Sequence, residues 1–237
     1  MAALMPQPSF HPVKIGAARQ ETPLLTHLTL ADVSTELLAA YKTPGQYVQI
    51  QEGGLKPGYF AIACGPGRGT LEFLLKRGTP LADLLCAKQP GATLQIGAPA
   101  GKGYPLEHAR GHDLYLCGVG SGIAPLRAVV HAVLRERQAF CAIKFYYGAR
   151  RCEDFPYANE LDSWLAHGVE VTRVCSQPEP GTWNASIGHI QDALRARRLV
   201  PTPGDCVFAC GMKPLVEDLK VLFTGLGLPA ERVFQNF

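Results

Sequence analysis

The run Leu116-Cys117-Gly118-Val119-Gly120-Ser121-Gly122-Ile123-Ala124-Pro125-Leu126-Arg127 constrains this chain more than any other stretch. An apolar strand runs into glycines at alternate positions, and the last of them opens a helix. Such a turn lets the backbone approach a pyrophosphate, whose charge then meets amide N–H groups and a helix N-terminus. Tight strand-to-helix turns also take glycine for structural reasons alone, so the Gly-x-Gly core by itself leaves both uses open. The ending Gly-Ile-Ala-Pro-Leu-Arg departs from the ordinary dinucleotide fingerprint and is more particular.

Around this turn the chain has two rhythms. From about Phe10 to Ala100, short β-like runs over 24–33, 46–51, 59–64, 70–76 and 92–96 are separated by turns such as Thr43-Pro44-Gly45 and Gln89-Pro90-Gly91. One short helix over 80–87 interrupts them. Strands at this spacing predict a small antiparallel β-barrel. After Gly111, strands over 113–117, 142–147, 169–175, 206–210 and 232–237 alternate with helices over 123–137, 157–167, 187–197 and 214–226. That alternation predicts a Rossmann-like doubly wound parallel sheet with helices on both faces. The expected domains are 1–110 and 111–237, and 237 residues suit two of ordinary size.

Composition narrows the classes. Net charge is +3 and no run of five Lys/Arg occurs, so nucleic acid is not an expected partner. The longest charge-free apolar stretch, near Leu114–Leu126, is too short and too broken by Gly and Pro to span a bilayer. Eight cysteines are scattered with no C-x-x-C pair, which argues for buried free thiols in a reducing compartment, cytoplasm or chloroplast stroma, and against a resident metal cluster. The opening residues 1–12 have no basic segment before an apolar core, so no secretory signal is expected there. His27, His131 and His189 stand alone in periodic segments and read as structural; Trp164 and Trp183 read as packing.

These motifs resemble the ferredoxin–NADP reductase superfamily, and within it the plant and algal fruit-protein-like reductases. Gly120-Ser121-Gly122-Ile123-Ala124-Pro125 is similar to the superfamily's nicotinamide-nucleotide turn. Tyr146-Tyr147-Gly148-Ala149-Arg150 resembles its second-strand motif, and Cys175-Ser176-Gln177-Pro178 the segment near the adenosine ribose. Cys210-Gly211 matches the cysteine–glycine pair beside the nicotinamide. In the first half, Pro44-Gly45-Gln46-Tyr47-Val48 resembles the strand leading to the flavin, and Gly78-Thr79 a flavin-phosphate turn. Gly101-Lys102-Gly103-Tyr104 closes the barrel much as in electron-transfer subunits of dihydroorotate dehydrogenase. The resemblance implies FAD on the barrel, NADH or NADPH on the second half, and electron transfer to a separate acceptor protein or small molecule. It assigns Cys210 to seating the nicotinamide, and Phe237 either to shielding the ring site or to pinning the terminus.

The chain departs from the superfamily where the flavin is held. The usual Arg-x-Tyr-Ser is Gly58-Tyr59-Phe60-Ala61 here, followed by Ile62, so the guanidinium fork and the hydroxyl are both gone. Phe60 keeps a face for stacking. Leu81 stands where a Ser is usual after Thr79. Lys56, Arg77 or Lys102, with amides of Gly78 and Thr79, are the candidate replacements for the lost charge. The alternative is a barrel that has lost flavin, making the chain a non-catalytic or nucleotide-sensing subunit. Ser176 is followed by Gln177 rather than Arg, which favours NADH over its 2′-phosphorylated form; Arg150, Arg151 and Arg173 are the nearby cations.

Overall fold

A computed structural model describes residues 9–236; the opening octet and Phe237 lie outside the described residues. The first half is an antiparallel sheet of β1 (His11–Thr22), β2 (Leu25–Ala31), β3 (Tyr47–Gln51), β4 (Gly58–Ala61), β5 (Glu72–Lys76) and β6 (Thr93–Ile96), in the order β4-β3-β6-β1-β2-β5. Its edges meet. Ile62, just past β4, bridges Phe73 of β5, and the Ala63 N–H donates to the Glu72 carbonyl at 2.7 Å. The sheet is therefore a barrel, filled by Val13, Ile15, Leu28, Val48, Ile50, Ile62, Phe73 and Ile96. Two short helices, α1 (Thr35–Ala40) and α2 (Pro80–Cys86), cover it; the side chains of Ser34 and Thr79 cap them.

The second half is a parallel sheet of β7 (Leu114–Val119), β8 (Ile143–Ala149), β9 (Val169–Cys175), β10 (Ser186–Ile187), β11 (Cys206–Cys210) and β12 (Val233–Gln235). The order is β10-β9-β8-β7-β11-β12, so the chain winds outward from β7 and then returns to its other side. Alternation explains the two faces. Leu114, Leu116, Phe145 and Phe208 enter one core with α3 (Ile123–Val133) and α4 (Ala158–Ala166). Tyr115, Cys117, Tyr146, Val207 and Ala209 enter the other, with α5 (Ile190–Ala196) and α6 (Lys213–Gly225). The first of these cores also takes in Leu25, Ala63, Leu74 and Tyr104 from the barrel side, so the halves share packed surface.

A polar lattice crosses that surface. Arg127 of α3, 6% exposed, donates from Nη1 to Glu72 Oε2 at 2.6 Å and to the Ala63 carbonyl at 2.8 Å. Its Nε and Nη2 grip both oxygens of Glu160 on α4 at 2.7 and 2.8 Å. His27 meets the Tyr157 hydroxyl at 2.8 Å, and His131 accepts from the Gly65 N–H at 3.4 Å. The two histidines are thus satisfied structural groups.

Several elements differ from expectation. A twelve-residue strand, β1, precedes the expected series, and α1 was not expected. The helix expected over 123–137 ends at Val133 and continues as 3-10 turns, broken where Glu136 leaves helical geometry at φ −130°, ψ 39°. Trp164 and Trp183 do pack, against Phe145 and Phe155 respectively. The eight cysteines are free; Cys141 is exposed and Cys152 and Cys210 are half-buried, while the other five are buried.

Candidate functional site

In a doubly wound sheet, ligands bind beyond the carboxyl ends of the strands, where the winding reverses. Here the reversal lies between β7 and β11, and a cleft of about 1480 Å³ opens there, bounded on its far side by the barrel. That volume exceeds the roughly 300–1,000 Å³ usual for one small-molecule site. Among the described residues, no side chain plugs it.

The glycine turn forms one wall. Gly120 has φ +55°, and a methyl placed on it meets nothing within 4 Å, so its outer face is open to a ligand. Tyr147, fully buried on β8, donates its hydroxyl to the Gly120 carbonyl at 2.7 Å and holds the turn in place. Gly122 serves a different need: a Cβ there would lie 2.4 Å from the Cys210 carbonyl oxygen. Only glycine lets β11 end so close to the turn. No side chain caps α3; the Ile123 N–H is taken by the Gly120 and Ser121 carbonyls of the preceding 3-10 turn, so the backbone of that turn itself faces the cleft.

Cys210 sits at the end of β11, and Gly211 follows at φ +157°. Burial pushes the Cys210 thiol up to about 12, with Tyr104 drawing it partly back. That shift favours the neutral thiol over the thiolate. At the ends of β8 and β9, Arg150 donates from Nε to Gln177 Oε1 at 2.8 Å, and the Gln177 N–H donates to the Arg150 carbonyl at 2.8 Å. Gly148 packs against Ile190, and Asp154 joins this end of the cleft.

The barrel wall carries Tyr59, Phe60, Ala61, Lys56, Lys76, Thr79 and Leu81. Two departures from the superfamily turn out to touch. A Cβ on Gly58 would meet Leu81 Cδ2 at 2.9 Å and Phe60 Cε2 at 3.0 Å, so glycine lets these apolar groups close where the usual Arg would emerge. The Gly78 N–H is already taken by Asp83 Oδ1 at 3.0 Å, and Thr79 Oγ1 accepts from Ala82 N at 3.2 Å. Arg77 reaches toward the Cys86 carbonyl, and neither it nor Lys102 lines the cleft; Lys56 and Lys76 do.

Of the residues singled out from sequence, the cleft gathers Tyr59, Phe60, Ala61, Thr79, Gly120, Ser121, Gly122, Ala124, Pro125, Gly148, Arg150, Ser176, Gln177, Cys210 and Gly211. Ile62 and Ile123 are instead fully buried in the two cores, and Gly78 stands outside the cleft wall. Tyr47 is one layer back, edge-to-face with Tyr59 at 5.4 Å. Phe237 lies outside the described residues. Sequence reading gave no role to Lys76, nor to Asn236, which it placed only in the terminal run Val233-Phe234-Gln235-Asn236-Phe237 that resembles the Asn-Phe end of the fruit-protein-like reductases. Asn236 is 5% exposed and lines the cleft, yet neither atom of its amide has a hydrogen-bond partner. Such a group costs about 1–3 kcal/mol when left unpaired.

The oxidoreductase NAD-binding domain family matches residues 109–220. The fruit protein pKIWI502 of Actinidia deliciosa is 26% identical over 216 residues, covering 84% of this chain and 68% of that protein. Ferredoxin–NADP reductase B of Sorangium cellulosum is 28% identical over 233 residues, covering 93% of this chain and 94% of its own length. Among solved structures, a ferredoxin NADP+ reductase from Neisseria gonorrhoeae with bound FAD and NADP aligns with a TM-score of 0.81 at 20% identity, covering 98% of this chain and 100% of that one. That last likeness is one of fold.

Proposed function

We propose that this chain, which is similar to ferredoxin–NADP reductases over nearly its whole length, is an NAD(P)H-dependent flavin oxidoreductase of that superfamily that passes electrons from a reduced nicotinamide nucleotide, through FAD, to a separate acceptor. The observation that carries this reading is the roomy cleft between barrel and parallel sheet at the winding reversal. When bound, the two cofactors supply hydride transfer between stacked rings, and the protein's part is to position them.

The residues fit that task. Gly120, Ser121 and Gly122, with the uncapped start of α3, offer amides to the nucleotide pyrophosphate. Ala124 and Pro125 line the same wall. Phe60 offers an aromatic face, with Tyr59 held beside Tyr47. Ala61 presents no hydroxyl to the flavin. Lys56 and Lys76 offer the positive charge that the superfamily's Arg would bring. Cys210 and Gly211 would bound the nicotinamide end, the buried thiol offering the ring a packing surface.

We infer NADH as the favoured donor. Gln177 occupies the place of a 2′-phosphate-binding Arg and ties up Arg150, and the Asp154 carboxylate lines the same end. The 2′-phosphate of NADPH would meet the Asp154 carboxylate there, beside an Arg150 cation already held at Nε by Gln177. Turnover with NADPH exceeding that with NADH by about tenfold would overturn this choice.

An absorbance spectrum of the purified protein, followed by anaerobic titration with NADH, tests the whole reading. Yellow protein whose flavin band bleaches on adding NADH is the expected result. Colourless protein that shows no thermal shift with FAD or FMN overturns it and leaves the accessory, nucleotide-sensing reading.

A further inference from the structure

Two buried side chains among the described residues keep polar atoms with no hydrogen-bond partner: Tyr146, at its hydroxyl, and Asn236, at both amide atoms. They are not alike. Tyr146 stands in the core between the sheet and its outer helices, away from the cleft. Asn236 lines the cleft. It directly follows Gln235, which pairs with Ala209, so it lies beside the Cys210 end of β11. From the barrel, Gly45 at φ +94° makes room for it, since a Cβ there would lie 2.8 Å from Asn236 Oδ1 and 2.7 Å from Tyr104 Cδ2. The amide thus sits at the seam of the two halves, at the back of the space where the rings are to meet.

On the reductase reading just given, we propose that Asn236 is a binding residue for a planar amide edge, a carbonyl beside an N–H, carried by a heterocycle in the cleft. An asparagine amide presents a donor and an acceptor side by side, and that edge is its complement. An isolated phosphate or carboxylate would satisfy the Nδ2 donor and leave Oδ1 unpaired. An apolar ring face would satisfy neither atom. Two sources carry the matching chemistry: the carboxamide of the nicotinamide and the pyrimidine edge of the flavin.

The substitutions Asn236→Leu, which keeps the volume, and Asn236→Ala separate these cases. Each variant is compared with wild type by its melting temperature without ligand, its affinity for FAD, and its affinity for NADH once saturated with FAD. Because leucine removes two unpaired polar atoms, unliganded Asn236→Leu is expected to melt no lower than wild type. Affinity for one ligand is expected to fall about tenfold, the worth of a lost hydrogen bond to a buried partner. If NADH binding falls, the nicotinamide is the source, and the nucleotide analogue with carboxylate in place of carboxamide binds variant and wild type alike. If FAD binding falls and NADH binding holds, the source is the flavin. Affinities within twofold of wild type for both ligands, in both variants, overturn the assignment. A fall in affinity accompanied by a fall in unliganded melting temperature in both variants also overturns it, leaving Asn236 a packing residue. Wild-type protein that takes up neither FAD nor NADH overturns this assignment together with the reductase reading.

Discussion

Single residues in the cleft show how much a missing side chain can decide. Gly120 and Gly122 stand two positions apart in one turn, yet the first faces open space and the second faces the backbone of Cys210. The Cys210 carbonyl cannot retreat, because Cys210 is paired with Gly118 in the sheet. Gly122→Ala is therefore expected to cost about 1–3 kcal/mol in urea unfolding and to weaken nicotinamide-nucleotide binding with it. A variant as stable as wild type that binds the nucleotide equally well would show that the end of β11 can yield to the turn. The pair Gly58 and Leu81 teaches the converse. Each reads as a separate loss in the sequence, and only the structure brings them into contact as one apolar replacement.

At the scale of elements, what was legible followed from periodicity. β7, β8 and β11 alternate between two buried faces, and the alternation is written in Leu114 to Cys117 and Cys206 to Ala209. Glycine turns placed one wall of the cleft for a related reason: a backbone that must approach a ligand or another strand end closely dispenses with side chains. β1 was not legible because its only large buried apolar residues are Val13 and Ile15, after which it runs through the small residues Gly16, Ala17 and Ala18 to the exposed Arg19 and Gln20. The break at Glu136 was invisible because Leu134–Ala139 keeps helix-forming letters while its contacts change. The roles of Asn236, seen only as part of a terminal motif, and of Lys76 were not legible for another reason. A lone Asn or Lys carries no pattern, and its importance comes from what surrounds it in space. α3 is the element on which most depends, since its start faces the cleft and its Arg127 reaches Glu72 on the barrel.

Across the whole molecule, the lattice around Arg127 couples the union of the halves to pH. Burial, with Arg127 nearby, lowers the His27 and His131 pKa values below the ordinary 6.5, so both rings are neutral at pH 7. His27 faces Tyr157, Thr29 and Glu72 as well as Arg127, and His131 faces Glu160 and Arg68. The unfolded chain protonates these rings first, so stability is expected to fall as pH drops below 6.5. Glu160 adds a second decline. Burial alone would raise its carboxyl, but hydrogen bonding by His131 and Arg127 holds it at about 2, against 4.5 when free. Its contribution is complete above 4.5 and is lost as pH falls toward 2. Melting temperatures followed downward from about pH 8 should be level and then descend in these two stages. His131→Gln should flatten the upper stage, and a wild-type profile level down to about pH 4.5 would count against the lattice.

The distribution of sulfur through the fold has a practical consequence. Cys64 and Cys86 are buried in the barrel, Cys117, Cys175 and Cys206 in the second half, and only Cys141 is exposed. A thiol-alkylating reagent weighed onto the intact protein should therefore mark Cys141 promptly and reach the buried five only when their surroundings open. Peptide mapping of the later labels would then time the loosening of each half separately, with no engineered probe.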